Sequence, residues 1–459
     1  MARLTQWPWQ HWARLRGAES AIICASGALN WQQLALRINA LAVGFRQQGV
    51  QPGSGVLLKS KNSEDALLAY LALLQCGARL LPLNPQLPDS QLHKLLPHLN
   101  LEFSLSLATP AADYPLIPLQ LRSASGCSSH HWDGESLATL TLTSGSSGVP
   151  KAAAHSFNAH LACARGVVDL LSFRADDSWL LSLPLYHVSG QGIIWRWLLT
   201  GARLKVAPQL PLAQALADCS FASLVPTQLW RLLQQDTLPA GVQNVLLGGA
   251  TIPRELLERA EAAGIRCWCG YGMTEAASTI AAKRANGRDG VGQVLGNAQI
   301  KLVDGEVWLR SAALACGYWQ DGELLPLTDS AGWLHTRDAG IWRDGELQLC
   351  GRLDNQFFSG GEGIQPEQIE RLLLSHPAIS MAFIIPRADK EYGQRPVALL
   401  EWDRQVSLQA IAQWATDKLA TFQLPVAWYD LPPDLSSGGI KLPRNELINW
   451  VNNQPVNND

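Results

Sequence analysis

The run Thr141-Leu-Thr-Ser-Gly-Ser-Ser-Gly-Val-Pro-Lys151 packs five hydroxyls, two glycines and a terminal lysine into one short segment behind an apolar stretch. Small residues let a backbone approach an anion closely. Hydroxyls and main-chain N–H groups supply donors, and the lysine supplies charge. This is the composition of a phosphate loop. It is not the G-x-x-x-x-G-K-[ST] loop, because Pro150 holds the second glycine position and Ala152 follows Lys151. A flexible polar linker is the bland alternative, but linkers rarely end in Pro-Lys and run straight into an ordered segment. A second chemical signal is Arg196, which ends an uncharged run from Ser178 to Trp195. A guanidinium in such surroundings is costly unless it meets an anion, supplied either by a substrate or by a protein carboxylate. Cys267-Trp-Cys269, without nearby Cys or His partners, is a poor zinc site.

The elements that must hold these residues alternate. Leu34, Ile38, Leu41 and Phe45 fall at helical spacing before Gly49. A short apolar strand (GSGVLLKSKNS), a helix over Glu64–Cys76, a Gly77 stop and a strand (ARLLPLN) follow. Further strands are expected at Trp179–Leu183, Ala202–Val206, Ala222–Val225 and Val245–Leu247, and Pro226 opens a helix from a first-turn position. This is the rhythm of a layered α/β domain. After about residue 290 the pattern changes. QIKLVDGEVWLR and IWRDGELQLC each carry a D-G step between alternating runs, which predicts two hairpins in a small, mostly β part. Pro366 opens a helix with Ile369, Leu372 and Leu373 on one face, and MAFIIP and RPVALLEW read as strands of a compact α+β unit. Residues 122–136 are the expected surface loop.

Composition narrows the class. The 459 residues hold 39 acidic and 36 basic side chains, a net charge of −3, which argues against a nucleic-acid binder. The 18 Trp are scattered and read as packing material. Nine dispersed Cys describe no disulfide framework and fit free thiols in a reducing cytoplasm. The start, MARLTQWPWQHW, lacks an export signal, and Ser178–Trp195 is broken by Pro184, Gly190 and Gly192 and is no membrane helix. The expectation is a cytoplasmic enzyme with no membrane insertion, its oligomeric state left open.

The hydroxyl-rich run with its S-G-x-x-G-x-P-K ending resembles the signature of the adenylate-forming superfamily of acyl- and aryl-CoA ligases, luciferases and adenylation domains. Further motifs follow in order, through Arg444. Gly270-Tyr-Gly-Met-Thr-Glu275 resembles Y-G-x-T-E, which implies Tyr271 on adenine, Thr274 on the phosphate and Glu275 on Mg²⁺. A carboxylate beside a triphosphate needs a cation between them. Leu247-Gly-Gly-Ala250 resembles the segment lining the adenine pocket, with Gly249 and Ala250 as contacts. Asp338, in Thr336-Arg-Asp-Ala-Gly340, resembles the ribose-binding Asp, with Arg337 in place of the usual Gly. The resemblance assigns Thr143, Ser144, Gly145, Ser146, Ser147, Gly148 and Lys151 to the phosphates, and Arg352 to ribose or phosphate. It makes Asp354 a hinge and lets Gly360-Gly361 admit a thiol chain, although that pair by itself is equally a plain turn. Gly439-Ile-Lys441-Leu-Pro-Arg444 resembles G-K-x-x-R with its Gly displaced by one place, and implies Lys441 as the catalytic lysine.

The implied fold is α/β: a large multi-subdomain N-terminal domain (layered αβαβα plus a small β-barrel-like part) over 1–353, and a small mobile α+β domain over 354–459 carrying Lys441. The implied chemistry uses ATP, Mg²⁺ and coenzyme A. Thr143, Glu275, Lys441 and Arg196 form the catalytic set, and His187, Ser189, Arg196 and Thr279 contact the acid. LLSLPLYHVSGQGIIWRW, SLVPTQLWRLL and SGGIK narrow the resemblance to the branch that joins o-succinylbenzoate to coenzyme A in menaquinone synthesis. That acid is an aromatic dicarboxylate and agrees with Arg196. The alternatives are another aryl- or fatty-acyl-CoA ligase, a carrier-loading adenylation enzyme, and an ATP-binding protein without catalysis. Intact Glu275, Asp338, Arg352 and Lys441 argue against the last.

Overall fold

The computed structural model describes residues 4–87, 89–107, 114–128, 130–143, 151–235, 241–249, 252–296, 298–360, 362–416, 418–436 and 444–454. Two large mixed sheets, of nine and eight strands, dominate. The eight-stranded sheet has a parallel centre: Gly55–Lys59 runs beside Arg79–Leu83 and Phe103–Ser106. Each connection carries a helix, as parallel strands require. The nine-stranded sheet runs Phe221–Leu224 beside Asn244–Leu247 and then Arg266–Met273, all parallel, before Ser278–Arg284 turns back antiparallel.

Alternation along single strands shows the layering. Val56 and Leu58 belong to the core that also holds Ile22, Trp179 and the helices Trp31–Gln47, Glu64–Gln75, Phe157–Leu171 and Val188–Thr200. Leu57, between them, faces away and packs with Leu92 and Leu96 of the helix Asp89–Leu99. On the far side of the other sheet, Val245 and Leu247 pack with Leu229 and Leu256 of outer helices. The order helix, sheet, helix, sheet, helix follows. It explains why the middle helices are apolar nearly all round: Ala66 to Gln75 are buried without exception. Asn30 caps Trp31–Gln47 in a reciprocal pair with Gln33, and Ser63 caps Glu64–Gln75. The tryptophans serve as packing: Trp9, Trp31, Trp179, Trp195 and Trp197 are fully buried.

Both D-G hairpins form. Asp304-Gly305 joins Gln299–Val303 to Glu306–Arg310, and Asp344-Gly345 joins Leu334–Arg343 to Glu346–Arg352, all four turn residues at positive φ. These strands make one four-stranded antiparallel sheet. The intervening strands Gly317–Gln320 and Glu323–Leu325 do not stay with it. They cross to the edge of the eight-stranded sheet, where Gly317–Gln320 pairs with Ala152–Ser156. The strand expected at Trp179–Leu183 is shorter, Ser178–Leu180, because Ser182 turns its hydroxyl onto the Ser223 carbonyl. Beyond Arg352, a separate five-stranded sheet and its helices build cores from residues between Phe357 and Val451 alone. Among the described residues of 122–136 none lies in a helix or strand, as expected. Among the described residues no helix is long and apolar enough to cross a membrane.

Candidate active site

Four neighbouring segments build the site. The first is the phosphate-loop candidate. It leaves the strand Leu137–Leu142 and returns through Ala152–Ser156, and the Thr143 N–H donates to the Lys151 carbonyl at 2.8 Å, tying the two ends together. Ser144, Gly145, Ser146, Ser147 and Gly148 lie outside the described residues, as do Ala250, Gly361 and Lys441. Below the loop, the Gln191 amide donates to Thr141 Oγ1 at 3.2 Å and to the Leu185 carbonyl.

The second segment is the end of Arg266–Met273 and the 3-10 turn Thr274–Ala276. Ala277 and Ser278 then take φ of 56° and 143°, a conformation that side-chain-bearing residues rarely adopt. Strain of this kind collects at functional sites. It turns the chain sharply, so that Glu275 and Ser278 both reach the centre. The Tyr318 hydroxyl donates to Glu275 Oε1 at 2.9 Å, and the Ala315 N–H donates to the Glu275 carbonyl at 2.8 Å. Burial first, and then Glu275, push the Tyr318 phenol well above its ordinary range. Among the described residues no other side chain hydrogen-bonds the Glu275 carboxylate, which leaves Oε2 for a cation. One carboxylate suits Mg²⁺, which keeps its waters and leans on substrate phosphates. Beneath, His155 is fully buried, and burial lowers its imidazole to about 4, so it is neutral. His160 bonds Thr139 at 2.7 Å and stacks on Trp195.

The third segment brings Asp338 and Arg352 together on adjacent strands, as direct cross-strand partners. Asp338 accepts from the Tyr271 hydroxyl at 2.5 Å and from Arg352 Nη1 at 3.1 Å. Arg352 also donates to the Thr336 carbonyl and, at 2.9 Å, to Asp354. Motifs nearly seventy residues apart in sequence thus share one hydrogen-bonded cluster. Arg337, which stands where relatives of the motif place Gly, does adopt φ of 62°. Its N–H donates to Glu306 at 2.9 Å, which helps hold the strained backbone. Gly249, at φ of 85°, follows the strand Asn244–Leu247 at the same end of the sheet.

The fourth segment is the helix Val188–Thr200, which starts at His187 and carries Arg196 inward. His187 is exposed and packs its ring edge-on to Tyr186, while Ser189 lies in the first turn. Arg196 is 1% exposed. Its Nη1 donates to Ser223 Oγ at 3.4 Å, its guanidinium lies 5.1 Å from the Trp179 ring, and its Nε has no partner. Among the described residues it forms no salt bridge. Burial lowers its pKa to about 10, so it stays charged at neutral pH. Space beside it is kept open by Gly192, where a Cβ would stand 3.1 Å from Arg196 Nη2 and 3.2 Å from Ser278 Oγ. Thr279 lies next along the strand, its carbonyl accepting from the Cys163 thiol, and borders a cavity of about 330 Å³ with Cys163 and Ala313.

The structure therefore gathers Thr143, Glu275, Tyr271, Asp338 and Arg352 at one side and Arg196 and Thr279 at the other. Sequence reasoning missed Tyr318, Ser223, Trp179 and Gly192. Tyr318, next to Gly317, stood in view without a signal, and the other three gain meaning only from their closeness to Arg196. Arg444, whose motif includes Lys441, is fixed within the small domain: it pairs with Glu370 and donates to the Ile384 carbonyl at 2.7 Å.

Buried hydroxyls and carboxylates set round a phosphate-loop candidate describe a nucleotide-using enzyme. The family model "AMP-binding enzyme" matches residues 9–319. The chain belongs to the AMP-binding enzyme family. It is 52% identical over 447 residues to the 2-succinylbenzoate–CoA ligase of Salmonella typhimurium, covering 97% of this chain and 98% of that one. It is 52% identical over 450 residues to the 2-succinylbenzoate–CoA ligase of Escherichia coli, covering 98% and 99%. Its fold matches an arginine-to-lysine variant of E. coli MenE with bound OSB-AMS at a TM-score of 0.94 and 51% identity, over 99% of this chain and 100% of that one.

Proposed function

We propose that the protein joins 2-succinylbenzoate to coenzyme A, in menaquinone synthesis. The carboxylate attacks the α-phosphate of ATP, forming an acyl adenylate and releasing pyrophosphate. The coenzyme A thiol then attacks the acyl carbon, and AMP leaves. The observation that carries the substrate class is Arg196: a fully buried cation without a carboxylate among the described residues. Such a charge is stabilised by an anion that arrives with the substrate, and a dicarboxylate has one to spare after the other reacts. Near-full-length similarity to ligases of that name supports the same reading.

The first step crowds an anion onto a polyanion. Thr143, Lys151 and the loop between them would hold the phosphates. Glu275 would hold Mg²⁺, which supplies charge neutralisation at the phosphates. Asp338 would take the ribose hydroxyls, with Tyr271 behind it and Arg352 beside it. Arg196, Ser223 and Thr279 would orient the acid, with His187 and Ser189 at the mouth. The reading divides the chain at Asp354, whose small domain would bring Lys441 in for adenylation and withdraw it for thioester formation. It places the enzyme in the cytoplasm, supported by nine free cysteines.

AMP release with ATP, Mg²⁺ and coenzyme A tests the substrate, comparing 2-succinylbenzoate with benzoate and a medium-chain fatty acid. Strong preference for 2-succinylbenzoate is expected, and equal use of benzoate would return Arg196 to a structural role. Lys441→Ala is expected to cripple adenylation but spare thioester formation from a supplied acyl adenylate. Equal loss of both would refute the two-position mechanism.

A further inference from the structure

Residues Ala315–Tyr318 form a bracket between the two phosphate-handling segments. On one side, Cys316 donates its N–H to the Ala154 carbonyl at 2.8 Å, and Tyr318 pairs with Ala153 in the strand that Lys151 leads into. On the other, Ala315 holds the Glu275 backbone and the Tyr318 hydroxyl holds its carboxylate. The two faces of one side chain are both used: the Lys151 ammonium sits over the Tyr318 ring, 5.0 Å from its centre.

We propose that Tyr318 is a positioning residue that couples Lys151 to Glu275. It fixes one carboxylate oxygen so that the other faces the metal–nucleotide, and it seats the lysine ammonium beside the same phosphates. The argument is geometric. A glutamate on a short 3-10 turn has free rotation at its last torsion, and a donor on one oxygen removes it. A lysine ammonium on a flexible stem gains a preferred seat from an aromatic face. Because the strand of Tyr318 is paired on both sides, with Ala152–Ser156 and with Glu323–Leu325, both partners inherit the position of one rigid strand. The inference rests on the reading of Glu275 as the metal carboxylate.

The test measures ATP binding without acid or coenzyme A, by calorimetry, in Mg²⁺ and again in EDTA, for wild type, Tyr318→Phe and Glu275→Gln. Tyr318→Phe keeps the ring and removes the donor. It is expected to weaken binding about tenfold in Mg²⁺, the loss of one hydrogen bond to a charged group, and to change it little in EDTA. Glu275→Gln should show the same Mg²⁺-specific loss. If Glu275→Gln shows it and Tyr318→Phe does not, the positioning role falls and the metal reading stands. If neither shows it, both fall. Equal losses with and without Mg²⁺ in Tyr318→Phe would reduce Tyr318 to a packing residue. Tyr318→Leu, which also removes the ring, should lose several-fold more, and that extra loss should vanish in a Lys151→Ala background. An extra loss that persists there would take Lys151 out of the bracket.

Discussion

Arg196 and Arg352 lie on opposite sides of the same site and solve the problem of a charged side chain in opposite ways. Arg352 is 42% exposed along its side chain and carries two carboxylates, Asp338 and Asp354. Its charge is balanced by them, and the same cluster holds Asp338 against the Tyr271 hydroxyl. Arg196 is sealed among Trp179, Ser223 and Gly192 with one long hydrogen bond and no described anion. Among the described residues only that bond and the Trp179 ring offset its desolvation. On the proposed reading the nucleotide side is built ready, whereas the acid side carries an electrostatic demand that a dicarboxylate would meet and a monocarboxylate would not. Specificity would then come from the penalty on the wrong acid as much as from attraction to the right one.

The largest effect should come from Arg196→Met. Removing the cation should lower kcat/KM for 2-succinylbenzoate about a hundred- to a thousandfold, with ATP binding nearly unchanged. The same change should raise the melting temperature of the empty enzyme, because an uncompensated buried charge is replaced by apolar volume. A fall in stability would mean that Arg196 already has a partner, and the contrast with Arg352 would break. A buried base that can shed its proton sharpens the point. Arg196 keeps its charge at pH 7, whereas burial takes His155 down to about 4. The unfolded chain protonates His155 below about 6.5, the folded one only below about 4. Stability should therefore fall as pH drops through that window, by about 3 kcal/mol for this residue. His155→Gln should flatten that part of the profile in urea unfolding measured at pH 7 and pH 4.5.

Asp338→Asn attacks the ready-built side. It should weaken ATP and AMP binding by about tenfold to a hundredfold and leave the KM for the acid within about twofold. A matching rise in the acid KM would show that the two sides are not separate. The smallest effect is expected from Gly192→Ala. Its methyl would press on Arg196 Nη2 and Ser278 Oγ, and the KM for 2-succinylbenzoate should rise about threefold to tenfold, with little change for ATP. An unchanged KM would place the second carboxylate elsewhere around the guanidinium.

The elements legible in the sequence are those that local chemistry decides. Asn30 and Ser63 cap their helices, Gly49 and Gly77 follow their ends, and Asp304-Gly305 and Asp344-Gly345 turn their hairpins. These depend on contacts within a few residues. The strands Gly317–Gln320 and Glu323–Leu325 went to an unexpected sheet, since pairing partners are chosen across the chain: Tyr318 pairs with Ala153.

The site divides along the same line. The resemblance of ordered motifs to the adenylate-forming superfamily singled out Thr143, Glu275, Tyr271, Asp338 and Arg352 as candidates, on residue types at short, ordered intervals. The sequence also singled out Arg196 as a cation in apolar company, and left open whether its anion belongs to substrate or protein. Only the tertiary structure bears on that, because a charge balance is a sum over everything packed around the group. Ser223 and Trp179 come to Arg196 from other strands, and no described carboxylate comes with them. The same holds for Tyr318, an ordinary tyrosine in the sequence, which comes to lie between Lys151 and Glu275 because its strand pairs with Ala152–Ser156 and its hydroxyl reaches the turn that carries Glu275. Residue type and spacing determine which chemistry a chain can perform. Long-range packing decides which of those groups are satisfied internally and which are left to be completed by a substrate.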